Sequence, residues 1–341
     1  MRSSIIAFFL IVVTIAFFAI MLPFWKSFVW GITIAIVFYP IFDRIKKTIR
    51  NNNIASFLSI TIVLLIIALP ITFAVYITVN ETEKFIGNID KIKAAFENLL
   101  LKLQNFSKLK IFTPYIDKVD ETVFSLLKNT GILITKNIGA VFSQTYSVVA
   151  NFLFSFIIAF YLIRDNERFL EYISNIVDDK EGFYKILKTI RDSINATVLG
   201  GVLTALIQGT VGAIGFLIVG LNAFFVWLFL IAIFSFVPLV GTAIIWLPVG
   251  VYLIIEGSLI KGIFILIWGA VAIGLVDNYV RPLIISSKIN IHPMILFFAI
   301  LGSMIVFGPI GIILGPVIVS VGDAMVKIYV SSKDKRKLKN L

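Results

Sequence analysis

Asp277, Asn278 and Arg281 stand in the stretch GLVDNYVRPLI, Gly274 to Ile284, at the end of a long apolar run. On a helix Asp277 and Arg281 are four residues apart, share a face and can pair, with Asn278 adjacent. An unpaired charge at the centre of a bilayer costs about 2.5 to 3.5 kcal/mol on insertion scales, so a facing partner or a water-filled cavity is expected. Pro282 should then stop the helix or kink it.

Other candidate groups are sparse. His292 is the only histidine and there is no cysteine, which excludes a multi-His metal site, disulfides and thiolate catalysis. An imidazole titrates near neutrality, so His292 is a candidate proton carrier; a lone histidine ahead of a proline such as Pro293 is more often a helix-start residue. Asp323 has Lys327 four residues on, which gives an interfacial ion pair or a direct part in handling charge. Gln208, among glycines, can cross-link helices or line a path.

An intramembrane protease is not supported. Asp277 and Asp323 sit in GLVD and SVGD rather than GxGD, and Ser303 sits in LGSM rather than GxSG. No phosphate-binding glycine loop with its lysine occurs. The chain is therefore read as a non-enzyme without cofactor.

The elements that must position these residues are membrane helices. Of 341 residues 59% are hydrophobic and 14% charged, where a soluble domain carries about 25% charged residues. Uncharged runs such as Asn51 to Asn80 and Ser193 to Ile255 exceed the roughly 20 residues that cross a bilayer. The runs are apolar on all faces, which favours a helical bundle over a barrel. The fold class is thus all-α and polytopic, with about eight transmembrane units and an extramembrane helical hairpin.

The net charge of +11 belongs to loops rather than to an interleaved basic and aromatic face, so nucleic acid is not an expected partner. Basic clusters at Arg44 to Arg50 and in the tail KDKRKLKNL place both termini in the cytoplasm of a multi-pass inner-membrane protein.

Along the chain, 1–80 reads as transmembrane helices 1 to 3. Residues 81–136 form an extracytoplasmic hairpin, whose Phe85, Ile89, Ile92, Phe96, Leu99, Leu103 and Phe106 recur at coiled-coil spacing. Residues 137–163 are transmembrane helix 4 and 164–192 a cytoplasmic amphipathic segment. Residues 193–330 form a C-terminal core and 331–341 a basic tail.

Within the core two segments rhyme, FVPLVGTAIIWLPVG (Phe236 to Gly250) and FGPIGIILGPVIV (Phe307 to Val319). Paired hydrophobic segments interrupted by glycine and proline point to a transporter's binding site, because broken helices expose backbone groups that can ligate cargo. Pro238, Gly241, Gly308, Pro309, Gly311, Gly315 and Pro316 are the expected hinges.

The order of VPLVGTAIIWLPVGVYLI, VDNYVRPLIIS and IHPMILFFAILGSMIVFGPIGIILGPVI, with a helical insertion between the third and fourth hydrophobic blocks, resembles the AI-2E family, to which export of autoinducer-2 is ascribed. The Asp277-Asn278, Arg281-Pro282, His292-Pro293 and Gly308 to Pro316 elements match that family's pattern in order. The resemblance implies an eight-helix bacterial or archaeal inner-membrane transporter, a pentameric homo-oligomer, moving a small polar solute outward. Some members are associated instead with exchange of sodium or lithium for protons. For a polyhydroxylated solute, Asp277, Asn278 and Arg281 supply acceptors and donors; for exchange, Asp277 would bind cation and proton in turn. A non-transporting scaffold whose outer hairpin binds partners is a third reading.

Overall fold

The computed structural model describes residues 2–87, 145–236 and 241–339. The predicted hairpin beyond Gly87 and the hinge Pro238 lie outside the described residues. Every regular element among those described is helical, as apolar runs in lipid require: with no water to satisfy the backbone, each segment must bond to itself.

The first part comprises α1 (Arg2–Met21), a 3-10 turn at Leu22–Phe24 containing Pro23, α2 (Trp25–Thr48), α3 (Asn52–Gly87), α4 (Thr145–Arg164), α5 (Asn166–Ile176) and α6 (Lys180–Ile218). The helix α3 spans 36 residues, roughly 54 Å at 1.5 Å per residue, against a hydrocarbon core of about 30 Å. It is therefore longer than one crossing. The charged stretch before Ser193 is continuous with the apolar run after it, since α6 passes through that position without a break.

The second part comprises α7 (Phe224–Phe234), α8 (Ala243–Ile255), α9 (Leu259–Trp268), two π-turns at Gly269–Ile273 and Val276–Val280, α10 (Arg281–Ile289), α11 (Pro293–Phe307), a 3-10 turn at Gly308–Ile310, and α12 (Gly311–Lys339). Both rhyming segments are broken. Neither α7 nor α8, at 11 and 13 residues, reaches the roughly 20 residues of a span.

Among the described residues, five helical stretches are long and apolar enough to cross a membrane: Phe8–Thr48, Asn52–Pro70, Lys180–Ile218, Leu259–Ile289 and Pro293–Val330; Ala150–Arg164, Phe224–Phe234 and Ala243–Ile254 are shorter apolar helices. The stretches Phe8–Thr48 and Pro293–Val330 run to 41 and 38 residues, long enough for two crossings each, and the number of units turns on how they divide.

The chain forms two compact units, Met1–Ile66 with Thr145–Val198 and Phe298–Leu341, and Ile67–Gln144 with Leu199–Phe297. In the first, α2 packs on α4. Gly31 makes room for Ile158 and the Ser155 carbonyl, Ser27 Oγ donates to Asn151 Oδ1 at 2.8 Å, and Phe24 meets Phe154 edge to face. The described side chains of α1 are mostly exposed and apolar, the composition of a helix solvated by lipid.

In the second unit Phe216, Ile231, Leu253, Ile265 and Ile273 form a buried core. The turn between α8 and α9 uses Gly257 at φ +91°, with the Ser258 N–H bonded to the Leu253 carbonyl; this closure requires a left-handed residue. The two helices then run close, because Gly250 and Gly262 face each other with no side chain between.

Candidate functional site

Arg281 begins α10 and Asp277 lies in the π-turn before it. Arg281 Nη2 stands 2.8 Å from Asp277 Oδ1, with the two side chains only 6% and 13% exposed. The same nitrogen donates to the Ser235 carbonyl at 2.9 Å. Ser235 is the C-cap of α7, the first of the broken helices. The guanidinium therefore bonds a carbonyl at the C-terminal end of α7, the negative end of the helix dipole. Arg281 Nε is buried and makes no hydrogen bond.

One helical turn before Asp277, the Ile273 carbonyl accepts a hydrogen bond from Gln208 Nε2 at 3.3 Å. A π-turn shifts the backbone ladder by one residue and leaves carbonyls available to side chains. Gln208 is 1% exposed, and its Oε1 has no hydrogen-bond partner. Its helix can approach because Gly209 and Gly212 carry no Cβ; a Cβ at Gly209 would lie under 3 Å from the Leu228 carbonyl oxygen. Nearby, Trp268 Nε1 at the end of α9 donates to the Val211 carbonyl of α6 at 2.9 Å.

Pro282 does not end the helix. It is buried within a stretch that is helical to Ile289, and the π-turn immediately before it accommodates the ring and the missing N–H. Asn278 is exposed and does not join the pair; neighbours in sequence lie about 100° apart around a helix.

His292 is exposed and its Nδ1 accepts the Met294 N–H at 3.3 Å, the arrangement of a helix-start residue, with Pro293 opening α11. Asp323 and Lys327 form an exposed pair at 2.6 Å.

In the other unit, Gly308 takes φ +73° and the turn folds α12 back on α11. Ser303 Oγ donates to the Gly311 carbonyl at 2.6 Å. Gly311 and Gly315 lie against Ser303 and Ala299, where a Cβ would fall under 3 Å from backbone. Pro316 is fully buried, Gly241 is buried and Pro309 exposed. No cluster of metal ligands occurs among the described residues.

The contribution that sequence reasoning missed is Ser235, whose only signal is its place just ahead of the first break, in FSFVP. The π-turns were missed as well.

Apolar helices long enough to span, two helices interrupted by proline and glycine, and a buried charge pair bonded to one interruption define a multi-pass membrane transport protein. The family model described as AI-2E family transporter matches residues 6–331, and the chain belongs to that family. It is 32% identical to a protein of Aquifex aeolicus (strain VF5) named "Putative transport protein", over 88% of this chain and 89% of the relative. Proteins of the same name in Buchnera aphidicola subsp. Baizongia pistaciae and Methanothermobacter thermautotrophicus are 24% and 23% identical, over 94% and 85% of this chain and 89% and 83% of theirs.

Proposed function

We propose that the chain exports a small polar, polyhydroxylated solute of the autoinducer-2 kind across the cytoplasmic membrane, as a homo-oligomer with both termini in the cytoplasm. The observation that carries the reading is the buried Asp277–Arg281 pair bonded to the Ser235 carbonyl. A carboxylate, a guanidinium and the end of a broken helix together offer acceptors and donors to hydroxyl groups. They do so where an apolar surround strengthens each bond. Gln208 adds a buried amide one turn away.

The same pair argues against sodium or lithium exchange for protons. An exchanging carboxylate must release one cation to take another, and a permanently charged guanidinium 2.8 Å away repels any second cation.

Liposomes carrying the wild type and Asp277→Asn, assayed side by side for efflux of an autoinducer-2-like sugar and for sodium-driven proton movement, test the choice. Sugar efflux is expected from the wild type. It should fall about tenfold or more in the variant, the scale of one charged hydrogen bond. Sodium-driven proton flux abolished by the substitution would replace the exporter with an antiporter, and absence of both fluxes from the wild type would defeat transport by this chain alone.

The orientation has its own test. A cysteine placed at Ser107 is expected to react with an impermeant thiol reagent added outside the cell; reaction from the cytoplasmic face alone would invert the topology.

A further inference from the structure

A cavity of about 300 Å³ lies among the ends of α2, α3, α4 and α5, lined by Phe42, Lys46, Asn52, Asn53, Arg164 and Arg168 among others. All four ends belong to one compact unit. The apolar part of α2 stops at Phe42, that of α4 at Ile163, and that of α3 begins at Ile54. Three apolar helices thus give out around the same cavity, which sets it at the depth where hydrocarbon meets headgroups. Tyr39, also on its wall, is a residue type that favours this level.

The charges of the cavity are unequally committed. Arg164 is held by Asp165 in a two-pronged contact, Nε to Oδ1 at 3.0 Å and Nη2 to Oδ2 at 2.5 Å. Through that bond the Asp165 carboxyl is kept below its ordinary range. Lys46 is different. Its side chain is 36% exposed and its ammonium is 3.6 Å from Glu167, beyond hydrogen-bond reach, while Glu167 itself is 82% exposed. The ammonium also lies 5.7 Å from the Phe42 ring centre, which holds it at the wall. Arg168 lines the same space. The first turns of α3 and α5 add the positive ends of two helix dipoles.

We propose that this cavity binds the phosphate of an anionic phospholipid headgroup, with Lys46 and Arg168 as its cations and the loosely held Glu167 displaced on binding. Basic pockets between membrane helices take headgroups by this chemistry. The depth of the cavity favours a lipid over a free anion.

Native mass spectrometry of the full-length protein in detergent, with phosphatidylglycerol offered against phosphatidylcholine, tests it. The wild type should retain phosphatidylglycerol preferentially. Lys46→Gln with Arg168→Gln should reduce that retention, by about fivefold for each charge removed. Arg44→Gln with Arg50→Gln removes two charges near the same helix ends but outside the cavity, and should leave retention unchanged. Equal losses in the two double variants, or none in the first, would overturn the proposal. Displacement of the lipid by millimolar inorganic phosphate would reassign the site to a free anion and overturn the lipid assignment. Should Lys46→Gln fail to fold, the exposed Arg168→Gln alone carries the test with its single fivefold step.

Discussion

Arg281→Gln is expected to destabilise the protein by about 3 to 5 kcal/mol, the scale for breaking a buried charge pair by removing one partner. The loss is large because one nitrogen serves two acceptors, Asp277 at 2.8 Å and the Ser235 carbonyl at 2.9 Å. The substitution takes the cationic partner from a carboxylate that is 13% exposed and the hydrogen bond from the end of α7 together. Asp277→Asn should cost less, because Arg281 keeps the Ser235 carbonyl and an amide oxygen can still accept a hydrogen bond. The double variant should then be more stable than the sum of the two single losses predicts, since a neutral pair leaves no uncompensated charge. Thermal unfolding in detergent of the four proteins gives this cycle directly. Strictly additive losses would mean that Asp277 and Arg281 do not act as a pair, and would remove the observation on which the export reading rests.

The pair itself was legible in the sequence, because spacing of four on a helix is a statement about distance, and apolar flanks make an unpaired charge untenable. The all-helical class was legible for a similar reason, since uncharged runs of such length have no other satisfied backbone in lipid. Breaks at both rhyming segments followed from proline and glycine, and the helix-start role of His292 from the proline after it. The Ser235 contact was not legible. It joins residues 46 apart in sequence, at the C-cap of α7, and nothing in local spacing brings the two together. Nor were the π-turns, which change which backbone groups pair without demanding a residue type. Their one trace was Pro282, read as a stop or kink, where the chain instead widens the turn ahead of it. Asn278 shows the remaining limit: adjacency in sequence suggested a triad, and helical geometry turns it outward.

The glycines of the α11–α12 hairpin should respond to the same substitution in opposite directions, which tests how closely the two helices approach. A methyl at Gly311 would fall under 3 Å from the Ser303 carbonyl and the Met304 nitrogen. These are backbone atoms that cannot rotate aside. Gly311→Ala must therefore part the helices and stretch the 2.6 Å bond from Ser303 Oγ to the Gly311 carbonyl, at about 1 to 3 kcal/mol, the range for overpacking. At Gly308 a methyl meets nothing within 4 Å, yet φ is +73°. Gly308→Ala should thus lose about 1 to 2 kcal/mol from backbone strain alone. Gly302 has neither restriction: it lies inside α11 with open space around it, and alanine there should raise stability by about 0.5 to 1 kcal/mol, the usual helix-interior difference. Thermal unfolding of the three variants in one detergent should rank Gly302→Ala above the wild type and the other two below it. If Gly311→Ala unfolds with Gly302→Ala, the helices do not meet at backbone distance and the hairpin is looser than its geometry requires.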